Sequence, residues 1–373
     1  MADTNVLIVD GVLAAGFGLQ HSVLATLRVK ARIKNWWNVD SLAWRSVESL
    51  CNVVYVLVAA SLWTRSDAVV WDLRGGAAVI VGAVFVLSWL WYWELHLVEY
   101  DCGLAFGSTT LVAQMSGRGA PKLVPWKVGS RRWIRFPVHT AFFGMFFAIP
   151  TMTADLLVLA TVLNVYNVIG SVLYDKRLEK SAGDAYFGYE AVTGLIWPPV
   201  YRAPAGAREL KMPAPAHWRR PARHIPGVFG GLLLGAWYLL FIGDAGTSPA
   251  TMLKAGVAGL VGAVVVGLLH GRILRPDPEV AWDQQQTDMS TTVALSAALG
   301  VVSWAVVHTV VYGAIPSFAT YLPLWFTVQY LGHVFAYLAA PTRWGRQRVP
   351  EAPVEVESVR EDVTPARPTG VSS

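Results

Sequence analysis

Residues 154–173 read ADLLVLATVLNVYNVIGSVL, a stretch whose one charge, Asp155, stands at its edge. A helix needs about 20 apolar residues to cross the roughly 30 Å hydrocarbon core of a bilayer, so this stretch reads as a membrane span. Working outward, residues 77–90, 227–242, 255–269 and 291–311 are nearly as free of charge. Composition agrees: 54% of the 373 residues are hydrophobic and only 15% are charged, against roughly 25% charged in a soluble domain. A soluble enzyme, a secreted disulfide scaffold and a disordered chain are excluded. Cys51 and Cys102, the only cysteines in the chain, are too few for a disulfide framework or a thiolate cluster.

Reading every apolar stretch this way predicts an all-α polytopic membrane bundle of about nine helices, near residues 5–26, 43–63, 76–97, 137–152, 154–174, 226–243, 250–270, 289–312 and 319–340. Residues 150–153 read as a turn inside a helical hairpin, because Pro150 breaks a helix. The chain divides into a five-helix part (1–200), a basic Pro-rich linker (201–225), a four-helix part (226–341) and a polar tail (342–373) with too little apolar content to fold. The first helix lacks a basic lead and carries Asp10, so it reads as a retained span. Of the 30 Lys and Arg, all but Arg65, Arg74 and Lys254 fall on one side of this map. The positive-inside rule then puts the N-terminus outside and the C-terminus in the cytoplasm. The net charge of +5 therefore reflects topology and the lipid bilayer as partner, with no nucleic-acid surface.

Ionisable groups in or beside a span are expensive and count as site candidates. Here they are Asp10, His21, Glu48, Glu94, His96, Glu99, Asp101, His139, His308 and His333. His96 and Glu99, three apart, would share a helix face and could hydrogen-bond. His308 and His333, on successive spans, suit interhelical hydrogen bonds or metal ligation. The 17 Trp read mainly as interfacial belts.

Two segments carry more than composition. Gly18-Leu19-Gln20-His21-Ser22-Val23-Leu24-Ala25, followed by a basic stretch and Trp44-Arg45-Ser46, resembles the opening of NnrU-type membrane proteins and the related methanethiol S-methyltransferases, with Trp44 where that family has Glu. The second segment comprises Arg135-Phe136-Pro137-Val138-His139-Thr140-Ala141, Pro150-Thr151-Met152-Thr153, Tyr174-Asp175-Lys176-Arg177-Leu178, and Gly183 through Tyr186 with Tyr189, ending near Pro198. It is similar to the catalytic region of the same family and of isoprenylcysteine carboxyl methyltransferases. Phe136, His139 and Ala141 stand where the family pattern has His, Tyr and Gly, and Tyr174-Asp175 stands where it has a Glu pair.

The resemblance implies a site for S-adenosyl-L-methionine at the cytoplasmic face of a bacterial membrane. In it Arg135 would meet the cofactor carboxylate and Asp175 its amine or ribose, with Pro137, Tyr186 and Tyr189 completing the cofactor set. His139 or Tyr174 would help deprotonate an acceptor, either a small thiol or a lipophilic substrate from the bilayer. The NnrU side of the likeness, shared with zeta-carotene isomerase, implies instead haem b held by His21 with His96 or His139. The departures from the pattern also suit a non-catalytic subunit or assembly factor with partners in a membrane complex.

Overall fold

The computed structural model describes residues 4–26, 28–32, 44–99, 102–118, 129–182, 184–199, 221–242, 248–275, 280–313 and 318–339. The expected tail and most of the expected linker lie outside these. The helices are α1 (Thr4–Ala25), α2 (Trp44–Leu62), α3 (Gly75–Glu94), α4 (Cys102–Phe106), α5 (Ser108–Met115), α6 (Pro137–Phe147), α7 (Ala154–Ala182), α8 (Asp184–Glu190), α9 (Ile225–Ile242), α10 (Pro249–Ile273), α11 (Trp282–Tyr312) and α12 (Phe318–Leu338). Strands β1 (Val69–Asp72) and β2 (Thr151–Thr153) form a small antiparallel pair. The protein is an all-α membrane bundle. On α3 no residue is buried and Val79 is 71% exposed, an arrangement that lipid favours and water does not.

Among the described residues, seven helices are long and apolar enough to cross a bilayer: α1, α2, α3, α7, α9, α10 and α11. The expected count of nine also took in α6 and α12. Helix α12 has the length, but Pro323, Gln329 and His333 lower its hydropathy, and Gln329 and His333 are fully buried, so their polarity faces protein. Helix α6 has 11 residues, about 16 Å at 1.5 Å per residue. A short non-helical stretch, residues 148–150, follows it. Lipid offers that stretch no hydrogen bonds, and the β pair supplies them: the Trp71 indole N–H donates to the Ile149 carbonyl at 3.0 Å and the Leu73 N–H to that of Pro150 at 2.9 Å. The expected turn at 150–153 is therefore a strand, because its backbone needs partners that a bare turn lacks.

A second departure follows α3. Leu95–Glu99 is a π-helical turn, which rotates His96 and Glu99 out of the expected i, i+3 pairing. His96 Nδ1 meets the Tyr92 carbonyl at 2.8 Å, while Glu99 accepts the Ser130 N–H at 2.6 Å and its hydroxyl at 2.9 Å. Helices α4 and α5 then turn back into the bundle. The turn needs Gly107, whose φ is 97° and where a Cβ would meet the Ser46 backbone nitrogen at 2.6 Å. Ser108 Oγ reaches His333 Nδ1 at 2.9 Å, and Phe106 and Trp93 pack edge-on against Trp325.

Close packing of α9 to α12 rests on small residues. Ala255, Gly259, Ala263, Gly267 and Gly271 recur every fourth position on α10, all buried, the spacing that lets membrane helices touch backbone to backbone. A Cβ at Gly267 would sit 2.6 Å from Phe335 Cβ and 2.7 Å from the Gly332 carbonyl, whereas Gly256 on the other side has open space. Gly267→Leu should therefore lower the thermal midpoint in detergent, by about 1–3 kcal/mol of overpacking strain. Gly256→Ala should leave it level or slightly raised.

Candidate active site

The start of α6 is built against the segment that follows α8. The Arg135 N–H donates to the Gly194 carbonyl at 2.8 Å, the Phe136 N–H to that of Leu195 at 3.0 Å, and the Gly194 N–H to that of Trp133 at 2.9 Å. Pro137 then occupies the first helical turn, where its missing N–H costs nothing. The Thr140 hydroxyl donates to the Ile196 carbonyl and fastens the same two segments one turn later.

Helix α7 supplies the opposite wall. Its 29 residues extend about 44 Å, more than the roughly 30 Å of hydrocarbon, so its last turns emerge from the apolar layer. Tyr174 and Asp175 stand in its last third. Arg135 Nε and Nη2 donate to Asp175 Oδ1 and Oδ2 at 2.9 and 2.8 Å, a bidentate pair with both side chains only 8% exposed. Arg135 Nη1 donates to the carbonyls of Glu190 (3.3 Å) and Thr193 (2.7 Å). Four of its five N–H groups are thus committed, and the Glu190 carboxylate lies 3.6 Å from Nη2.

The sequence-predicted residues converge on this pair. The Tyr186 hydroxyl donates to Asp175 Oδ1, and the Tyr189 hydroxyl donates to the Arg131 carbonyl at 2.9 Å. Burial, reinforced by the hydrogen bond to Asp175, pushes the Tyr186 phenol above its ordinary range and keeps it a neutral donor. His139 stacks on Phe136 and Tyr174 tilts against the same ring, with centroids 5.7 and 5.6 Å away. The Arg177 guanidinium covers Tyr174 at 5.3 Å. The Ser171 hydroxyl donates its one proton to the Asn167 carbonyl, so it accepts from His139 Nδ1–H and leaves Nε2 as the ring's lone-pair nitrogen.

Neither His21 nor His96 belongs to this cluster of rings. His21 on α1 meets Asn52 and Glu48 of α2, and His96 stacks on Phe106. His333 bridges Ser108 and Gln286, at 2.9 and 3.3 Å, as an interhelical hydrogen-bonding residue. Sequence reasoning missed Glu190, Thr193 and Ser171. Two of them act through hydrogen bonds that only the folded loop and helix bring together, while Glu190 follows the motif residue Tyr189 directly. Asp175, Glu179 and Glu190 bring carboxylate oxygens within 4.8 Å of one another. Burial pushes the Glu190 carboxyl above its ordinary range, with Asp175 and Glu179 adding to the rise and Arg135 opposing it. The site is therefore rich in acceptors and suited to a cationic ligand bounded by aromatic faces.

No family profile and no solved structure matches the chain. Among curated proteins it is similar to the methanethiol S-methyltransferase of Pseudomonas deceptionensis, 30% identical over a 214-residue alignment that covers 53% of this chain and 75% of that protein. The enzyme of the same name from Mycobacterium tuberculosis is 28% identical over 52% of this chain and 78% of its own length. Methanethiol S-methyltransferase 1 of Bradyrhizobium diazoefficiens is 26% identical over 52% and 67%.

Removing one partner of a buried ion pair strands the other charge, which costs about 3–5 kcal/mol. Arg135→Ala and Asp175→Asn should each lower the thermal midpoint accordingly. Arg135→Met combined with Asp175→Leu should cost less than the sum of Arg135→Met and Asp175→Leu measured singly, since no charge is then left alone.

Proposed function

Because the chain belongs to the methanethiol S-methyltransferase family, we propose that it transfers a methyl group from S-adenosyl-L-methionine to a small thiol, at the end of the bundle where α6, α7 and α8 meet. The observation that carries this reading is the convergence of Arg135, Phe136, His139, Tyr174, Asp175, Tyr186 and Tyr189 around one buried ion pair. The positive bias of the loops supports a cytoplasmic position for that end.

The residues present fit the cofactor's cationic half. Asp175 and Glu190 offer carboxylate oxygens to an amine or a ribose hydroxyl, and the 39% exposed Tyr174 offers a ring face to a sulfonium. The bound cofactor supplies an activated methyl group, so the protein has to orient the partners and exclude water. Arg135 orients Asp175 through its bidentate grip and keeps one N–H for a carboxylate. Tyr186 fixes Asp175 from the other side. Pro137 and the carbonyls around Gly194 hold the start of α6 still, and His139 lines the acceptor side. A small thiol is apolar enough to arrive through the bilayer.

Calorimetric titration of the detergent-solubilised protein with S-adenosylhomocysteine tests this. Binding heat and a rise in thermal midpoint are expected, with affinity at least about tenfold weaker in Asp175→Asn, the loss of roughly one charged hydrogen bond. No heat and no thermal shift in the wild type would leave the proposal without its cofactor. A second expectation concerns pH. A cationic ligand favours the charged form of Glu190, so binding below its raised pKa must expel a proton. Affinity for S-adenosyl-L-methionine should fall as pH drops through that value, and Glu190→Gln should flatten the fall.

A further inference from the structure

Helix α1 runs alongside α7. The Tyr166 ring lies against Gly18, where a Cβ would sit 2.6 Å from it, the Ser22 hydroxyl donates to the Tyr166 hydroxyl at 3.3 Å, and Arg177 Nη1 donates to the Ala25 carbonyl at 3.1 Å. Arg177 is the residue that covers Tyr174. The last turns of α1 therefore form a wall beside the candidate site, and His21 stands one turn before Ala25 on the same face. Its ring is edge-on to Tyr166 at 6.2 Å.

His21 is equipped as few histidines in this bundle are. Glu48, only 4% exposed at its side chain, has Oε1 3.9 Å from His21 Nδ1, and its Oε2 lies 3.7 Å from Lys30 Nζ. The Asn52 amide nitrogen Nδ2 is 3.0 Å from the same Nδ1. The amide's nitrogen and oxygen are nearly isosteric, and exchanging them puts Oδ1, buried without a partner as placed, on Nδ1–H and leaves Nε2 as a lone-pair nitrogen. A carboxylate behind Nδ1–H stabilises the imidazolium that forms when Nε2 takes a proton. The His21 side chain is 37% exposed, so a small molecule can reach it. His139, by contrast, is stacked between Phe136 and Phe142 and has only a hydroxyl behind its Nδ1.

Resting on the methyl-transfer reading above, we propose that His21, held by Asn52 and Glu48, is the catalytic base that deprotonates the acceptor thiol. Nε2 takes the S–H proton. The thiolate's lone pair forms the new sulfur–methyl bond as the bond from methyl to the sulfonium breaks, with its electron pair kept by the departing thioether. The proton then leaves the imidazolium for water. The titratable and charged groups around His21 are Glu48 on α2, Lys30 just beyond α1, Tyr166 on α7 and His139 on α6, with Arg45 on α2 and Arg177 on α7 acting on Lys30.

The test uses the full chain in detergent with ethanethiol as probe, and two readouts. Without cofactor, ultraviolet difference absorbance reports how much bound probe is thiolate at neutral pH. With S-adenosyl-L-methionine, formation of the methylated thioether gives kcat and KM. Wild type should show a thiolate band, and His21→Gln should lose it while kcat falls about 100-fold or more. The lost rate should return as rising pH ionises the thiol in solution. Asn52→Asp, which keeps an oxygen on Nδ1–H, should stay near wild type, and Asn52→Leu should lose about tenfold. S-adenosylhomocysteine affinity should be unchanged in all of these. If His21→Gln keeps the band and the rate, or if only His139→Gln loses them, the assignment of the base is wrong while the methyl-transfer reading stands. If the wild type neither binds S-adenosylhomocysteine nor methylates the probe, both fall together.

Discussion

Lipid accepts no hydrogen bonds, and among the described residues several places where the chain leaves helical conformation come with their own partners. The carbonyls of Ile149 and Pro150 take N–H groups from Trp71 and Leu73, so α6 can be short without stranding backbone in hydrocarbon. The turn at Ser130 is met by Glu99, and the bend at Gly107 by Ser46, whose hydroxyl donates to the Gly107 carbonyl at 3.1 Å. Several polar side chains thus complete a backbone or an interhelical bond.

The Arg135–Asp175 pair is the local counterpart of that constraint. A guanidinium and a carboxylate, each nearly sealed from water, are tolerated because most of their other donors and acceptors are filled, by the Glu190 and Thr193 carbonyls and by Tyr186. The pair joins the start of α6, the emerging end of α7 and the segment after α8. Any ligand at this end meets a surface whose charges are already organised, which is what a reaction limited by positioning requires. The carboxylates of Asp175, Glu179 and Glu190 gather beside Arg135 on that surface.

Much of this was legible in the sequence, for identifiable reasons. Spans could be read because lipid demands long unbroken apolar runs, and α1, α3, α7, α10 and α11 all satisfy it. Arg135, Asp175, Tyr186 and Tyr189 could be read because a motif with fixed spacing resembles a known family. The small β pair could not be read. Three or four residues of extended chain have no periodicity to detect, and their conformation is set by partners far away in the chain. The π turn was equally hidden, since one inserted residue changes no composition, yet it moved Glu99 from His96 to Ser130. The contact between the small residues of α10 and α12 was hidden too, since it joins helices remote in sequence.

By itself the sequence determined that this is a membrane bundle and where the polar residues would be costly, because hydropathy and charge act residue by residue along the chain. It also marked the two motifs. Only the tertiary structure decided that Arg135 spends its donors on Asp175 and two carbonyls, and that α1 brings His21, Glu48 and Asn52 alongside the end of α7. Those facts depend on distances between residues remote in sequence, and such distances are fixed by packing, to which a linear reading has no access.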